Sequence, residues 1–139
     1  MDSTAIPKPV REFVCKRIHA IEQLEILLLL HADRAEAWTA RSVAAAVRIG
    51  DADVADALRH LSAEGLLIES AGSTPQFKYA PVGTELGACV DTLAEIYARS
   101  RLEVLQLISR GAMDRIRTAQ VRAFASAFLF RDPRTKDRT

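Results

Sequence analysis

Apolar residues recur at helical spacing along most of the chain, and strict alternation is confined to one short stretch. Val10, Phe13, Val14 and Ile18 define one side of a first helix, with Arg11, Glu12, Lys16 and Arg17 elsewhere. Ala20 to His31 is the most apolar segment. Ile21, Leu24, Leu27 and Leu28 make one stripe there, and Ile26, Leu29 and Leu30 add a second, which predicts contact on two sides. Two compact helices follow, carried by Ala40, Val43, Ala44 and Val47 and then by Val54, Leu58 and Leu61. The pattern changes at Leu66 to Glu69, which has the look of a strand, and at Gln76 to Ala80, where aromatic residues alternate with polar or small ones as in a half-buried hairpin partner. From Leu86 the helical period returns through Val90, Leu93, Tyr97, Val104 and Leu107, widened by Leu102, Leu105 and Ile108 and interrupted only at Ser100. A last helix is predicted over Ala112 to Phe130, with Met113, Ile116, Ala123, Phe124, Ala127 and Phe128 on its apolar side.

The residues between these segments act as local stops and starts. Thr39 suits an N-cap, with Trp38 and Val43 placed as a hydrophobic staple. Arg48-Ile49-Gly50 joins the two compact helices, Asp51 is a natural N-cap for the second, and Gly65 supplies the left-handed residue that ends it. Gly72-Ser73-Thr74-Pro75 turns the two strands, and Pro81 closes the hairpin. Gly111 is expected to break or bend the long helix, and Asp132-Pro133 to end the last one. Two helices and a hairpin in this order are a winged helix-turn-helix. The fold class is therefore mainly α with a small β-hairpin wing and additional N- and C-terminal helices. Residues 1–9 read as a flexible lead, 10–85 as the winged domain with its N-terminal helix, 86–131 as a C-terminal helical region, and 132–139 as a charged tail.

Composition narrows the function classes. A chain of 139 residues, 49% hydrophobic and 27% charged, suffices for one domain with a proper core. A net charge of +1 gives no global pull toward nucleic acid or an anionic membrane, so any such binding needs a local patch. Cys15 and Cys89 are far apart and form no CxxC, and the N-terminus has no secretory pattern, which points to a reducing cytoplasm. The apolar run Ile26 to Leu30 is far too short to span a bilayer. Cys15 and His19 share a helical face but have no third ligand near them in sequence, so no metal is expected. The chain carries no Gly-rich phosphate loop, no HExxH and no GxSxG, and neither a cofactor nor enzymatic activity is expected.

Residues 37–43 (AWTARSV), 58–68 (LRHLSAEGLLI) and Phe77-Lys78-Tyr79 resemble the winged-helix family of bacterial regulators, with an architecture similar to the MarR and PadR groups. The likeness covers roughly residues 20–81. It implies a DNA-binding transcriptional regulator, with Arg41 and Arg48 at phosphates, Arg59 and His60 at base edges, and Lys78 in the wing. It also implies a homodimer built by the terminal helices, whose seam would be Val90, Leu93, Tyr97, Val104 and Leu107. Folding of those helices back onto the Leu27 to Leu30 side is the alternative. A second alternative concerns the ligand. The outward positions of the recognition helix include Asp53 and Asp56, which oppose phosphates, so a protein partner is the other occupant to weigh. Arg115, Arg117, Arg122, Arg131, Arg134, Lys136 and Arg138 form a further basic set on the C-terminal helix and tail.

Overall fold

A computed structural model of the chain describes residues 6–137, and the side chains of residues 6–125. The elements run α1 (Lys8–Arg17), α2 (Ile21–Ala32), β1 (Trp38–Thr39), α3 (Ala40–Val47), α4 (Asp51–Ala63), β2 (Leu67–Glu69), β3 (Gln76–Tyr79), α5 (Thr84–Arg99) and α6 (Arg101–Asp137). Helices α3 and α4 with the sheet form a winged helix-turn-helix. Of the lead expected over 1–9, residues 1–5 lie outside the described ones, and α1 already starts at Lys8, with Pro7 as N-cap.

The core centres on α2. Leu24, Ile26, Leu27 and Leu30 are all excluded from solvent, and their helix touches α3, α4, β3 and α5. The second apolar stripe on this helix is thus used, as its pattern predicts. Val43, Val54, Leu58 and Leu61 approach from the helix-turn-helix, and Val90, Leu93 and Ile96 from α5, within the same core cluster.

Local caps set where α3 and α4 begin and end. The Thr39 hydroxyl accepts from the Ser42 N–H while Ser42 Oγ accepts from the Thr39 N–H, a reciprocal box that satisfies both donors. The cap of α4 differs from expectation. Gly50 is its N-cap, and Asp51 and Asp53 stand in the first turn, where negative charge is favoured by the macrodipole without a side-chain hydrogen bond. At the other end Gly65 (φ 81°) lets the Leu66 N–H reach the Leu61 carbonyl and its own N–H reach that of Ser62, a Schellman closure.

The sheet holds a strand that periodicity does not show. β1 is only Trp38–Thr39, yet it pairs antiparallel with β3, giving the order β1-β3-β2. Two residues are too few to display a period. Trp38 lies opposite Phe77 and is half-buried. β2 and β3 pair Leu67 with Tyr79 and Ile68 with Lys78, so Phe77 and Tyr79 face the core and Lys78 faces out.

Two expectations for the C-terminal half are corrected. The break falls at Ser100 and not at Gly111. Ser100 leaves the helical region (φ −136°, ψ 59°), ends α5 by donating to the Ile96 carbonyl, and starts α6 by accepting from the Glu103 and Val104 N–H groups. A residue that suits a cap outweighs a glycine that merely tolerates bending. The second correction is at Asp132-Pro133, where α6 does not stop but continues to Asp137; a proline removes one helical hydrogen bond without obliging the chain to leave the helix. Among the described residues, no helix is long and apolar enough to cross a membrane.

Gly111 sits inside α6 where α1 crosses it. A Cβ built there would lie 3.7 Å from the Cys15 Cα, an ordinary contact, and the backbone is helical. Gly111→Ala should therefore stabilise the fold by about 0.5–1 kcal/mol through helix propensity alone. The urea midpoint of the variant measures it, and a lower midpoint would mean that the crossing does not admit a methyl group.

Candidate functional site

The start of α3, the outer face of α4 and the wing enclose a groove with a volume of about 590 Å³. Arg41 lines it from α3 and Arg59 from α4, with Thr74, Pro75 and Phe77 on the wing side. Two carboxylates, Asp51 and Glu69, share the lining. The fold thus brings together two of the expected contact residues, Arg41 and Arg59. It does not bring all five to one place.

Arg48 caps α3 with a left-handed backbone (φ 61°) and is exposed at the helix-turn-helix corner. A side chain other than Gly or Asn is strained there by about 1 kcal/mol. The tight corner requires it, because the Arg48 N–H bonds the Ala44 carbonyl at 2.8 Å just before α4 begins. Lys78 is exposed on the sheet face opposite Phe77, away from the groove. Arg59 forms an i,i+3 ion pair with Asp56 (3.6 Å), which uses part of its charge. Arg41, Arg48 and Lys78 have no ion-pair partner among the described residues.

His60 is a correction. Its ring does not face the groove but turns toward α1, with Nε2 2.7 Å from the Arg17 carbonyl oxygen, to which it donates. The His19 ring lies 4.6 Å away, centroid to centroid, and Glu64 approaches the same Nε2 at 4.0 Å. Helical phase explains the miss. One step beyond Arg59 is a turn of 100°, enough to carry a side chain from the outer face to the packed one.

The seam residues are also placed differently from expectation. Val90, Leu93, Val104 and Leu107 are buried within the single chain, and Tyr97 packs partly against the same core. They serve the chain's own interior, the fold-back alternative. Among the described residues, α6 leaves Met113, Ile116 and Val121 exposed further along its length, while Ile68, Val82 and Leu102 are exposed elsewhere. Of the further basic residues, Arg115 is engaged with carbonyl groups of α1 and its neighbour, and Arg117 with Asp114 (3.5 Å). The side chains of Arg131, Arg134, Lys136 and Arg138 lie outside the described residues.

Beside the wing, a polar cluster ties it to α2 and α5. His31, in the last turn of α2, donates through Nε2 to Asp91 Oδ1 at 2.7 Å, and Arg34 stands 3.6 Å from the same oxygen and over the Tyr79 ring. The hydrogen bond from His31, helped by the charges of His31 and Arg34, holds the Asp91 carboxyl below its ordinary value against the opposing effect of desolvation. Burial, with Asp91 adding to it, pushes the Tyr79 phenol up. A wider cleft of about 830 Å³ opens between α1, the end of α4 and the start of α5, and Cys89 lines it. Burial raises the pKa of that thiol, so it is held protonated and is no activated nucleophile.

No protein-family model matches this chain, and no curated protein matches it in sequence. Solved structures do match in fold. A mutant of the S. aureus protein MepR bound to an oligodeoxyribonucleotide is 15% identical with a TM-score of 0.52, over 85% of this chain and 86% of that one. A S. aureus MepR–DNA complex is 13% identical with a TM-score of 0.51, over 86% and 90%. MepR described as a transcription regulator of the Staphylococcus aureus multidrug efflux pump MepA is 14% identical with a TM-score of 0.51, over 85% and 87%. At these identities the likeness is one of fold, a winged helix-turn-helix with terminal helices.

The Asp91 pair yields a pH prediction with a definite sign. A carboxylate whose pKa is lowered on folding adds stability above its unfolded value, near 3.9, and that stability is lost as pH falls through the folded value. Asp91→Asn should therefore be less stable than the parent at neutral pH, with the two urea midpoints converging below about pH 3. A gap independent of pH would show that the side chain acts by shape alone.

Proposed function

We propose that this protein is a dimeric transcriptional regulator that binds double-stranded DNA through α4, with the wing alongside. The observation that carries the reading is the pair of cations, Arg41 and Arg48, that have no ion-pair partner among the described residues and flank an exposed recognition helix, in a fold shared with the DNA-bound MepR structures. Arg41 and Arg48 serve as phosphate contacts, which set register and orientation, and Lys78 adds one from the outer wing face. Arg59 is the base-edge reader, at the groove mouth and on the exposed face of α4. His60 leaves this set, because its Nε2 already bonds Arg17. Such a regulator works in the cytoplasm, is not an enzyme and needs no cofactor.

One observation favours a second reading. Asp51, Asp53 and Asp56 are exposed along the same helix, a surface that suits a basic protein partner. The two readings separate by opposite signs. On mixed duplex DNA, Arg48→Ala should lower affinity and reduce the salt slope by about one unit, while Asp56→Asn should raise non-specific affinity. No shift of mixed duplex at low salt and micromolar wild-type protein would turn the assignment to a protein partner.

The dimer rests on α6. This helix of 37 residues extends for about 55 Å, and its exposed Met113, Ile116 and Val121 need a cover that a second copy supplies by two-fold symmetry. Ile116→Asp should give a folded monomer by light scattering, whereas Leu93→Asp should unfold the chain, since Leu93 is wholly buried within it. A wild type that is already monomeric at high micromolar concentration would remove the dimer.

A further inference from the structure

The last turn of α1 is a junction between the long C-terminal helix and the recognition helix. A helix that ends at Arg17 leaves four carbonyl groups without intrahelical donors, those of Val14, Cys15, Lys16 and Arg17. Each finds a donor, and the donors come from different parts of the fold. The Ile18 N–H serves Val14 at 3.0 Å. Arg115, on α6, donates through one nitrogen to the Cys15 carbonyl (3.0 Å) and through another to that of His19 (3.4 Å). His19 Nε2 donates to Lys16 (3.1 Å), and His60 Nε2, on α4, donates to Arg17 (2.7 Å).

The contact with α4 runs in both directions. Arg17 donates to the backbone carbonyl of Glu64 and to its Oε1, each at 3.0 Å, so the residue that ends α1 also caps the end of α4. The His19 ring then packs against the His60 ring at a tilt of 50°, and the His19 N–H donates to Gln23 Oε1, which fixes the turn into α2. These groups are partly shielded from solvent, where charge-assisted hydrogen bonds are worth more than exposed ion pairs. A cationic Arg115 at the negative end of α1 adds a favourable dipole interaction.

We propose that Arg115, Arg17 and His60 are positioning residues that work in series: Arg115 fixes the end of α1 to α6, and Arg17 and His60 fix the end of α4 to α1. The placement of α6 thereby sets the angle of the recognition helix. Arg115 does this without touching α4. The consequence for DNA rests on the function proposed above, whereas the mechanical link stands on the contacts and is testable without any nucleic acid.

The test is amide hydrogen exchange of the full chain at fixed pH, read at residues 60–66 and compared with the core of α2, which reports global opening. Arg115→Lys keeps the charge but loses the planar fork that serves the two carbonyls through separate nitrogens, and it should raise exchange at 60–66 by roughly tenfold relative to α2. Arg17→Ala should do the same, and the double variant should fall short of the sum of the two, as expected for links in series, with the His60 bond to the residue 17 carbonyl still in place. His60→Gln retains an amide donor for the Arg17 carbonyl and should restore much of what His60→Leu loses. Loosening of α1 alone in Arg115→Lys, with 60–66 unchanged relative to α2, would overturn the proposal, as would simple additivity of the two variants. A uniform rise in both regions would overturn it as well, because it assigns Arg115 to global stability. Duplex DNA affinity of the same variants then follows the exchange order. Failure of the wild type to bind DNA would sink only the regulatory reading and leave the exchange result intact.

Discussion

A helix that is apolar on nearly its whole circumference cannot sit at a surface, and α2 imposes that constraint on the rest of the chain. Leu24, Ile26, Leu27 and Leu30 need cover on two sides, and neither the helix-turn-helix nor the C-terminal helices could supply both. The winged half closes one side with Val43, Val54, Leu58 and Leu61; α5 closes the other with Val90, Leu93 and Ile96. What the linear order suggests as a DNA-reading part plus an assembly part is thus one core shared around one helix. Residues expected at a seam between subunits, Val90, Leu93, Val104 and Leu107, are taken up by this sharing.

The polar ends of the helices follow from the same arrangement. Helices gathered about a common core bring their termini together, and each terminus carries backbone groups that need partners. Short-range chemistry settles some of them, as in the Thr39–Ser42 box and the closure at Gly65. The end of α1 is different, because its donors arrive from α4 and α6. Where a terminus is satisfied by other elements, its hydrogen bonds become joints between those elements.

Electrostatics at the groove is a balance and not a simple basic patch. Arg41 and Arg59 share their lining with Asp51 and Glu69, and Arg59 is already paired with Asp56. The acidic first turn of α4 has its own stabilising logic from the helix dipole, so those carboxylates are no proof of an acidic ligand. Asp56, beyond that turn, lacks this explanation and is instead paired with Arg59. With a chain charge of only +1, the DNA binding proposed above would draw on a few placed cations, and its salt slope would be correspondingly modest.

The helices, the hairpin and their order were legible in the residues because they rest on local causes: a 3.6-residue period in the Leu-rich segments, a hydroxyl at Thr39, a glycine at Gly65, alternation through Phe77 and Tyr79. That Arg41 and Arg59 come to one groove follows for the same reason, since position within a helix-turn-helix is set by its boundaries. Tertiary contacts decided the rest. His60 was misread because a single helical step separates the outer face of α4 from the face that α1 covers, and only the position of α1 says which is which. Ser100 and Gly111 exchanged roles because a break is chosen by what packs beside it: α1 crosses α6 at Gly111 and favours unbroken helix there. The strand at Trp38–Thr39 exists only because β3 lies next to it. A sequence specifies which face of each helix is apolar, but which neighbour covers that face is a property of the whole core, set by burial summed over all the elements at once.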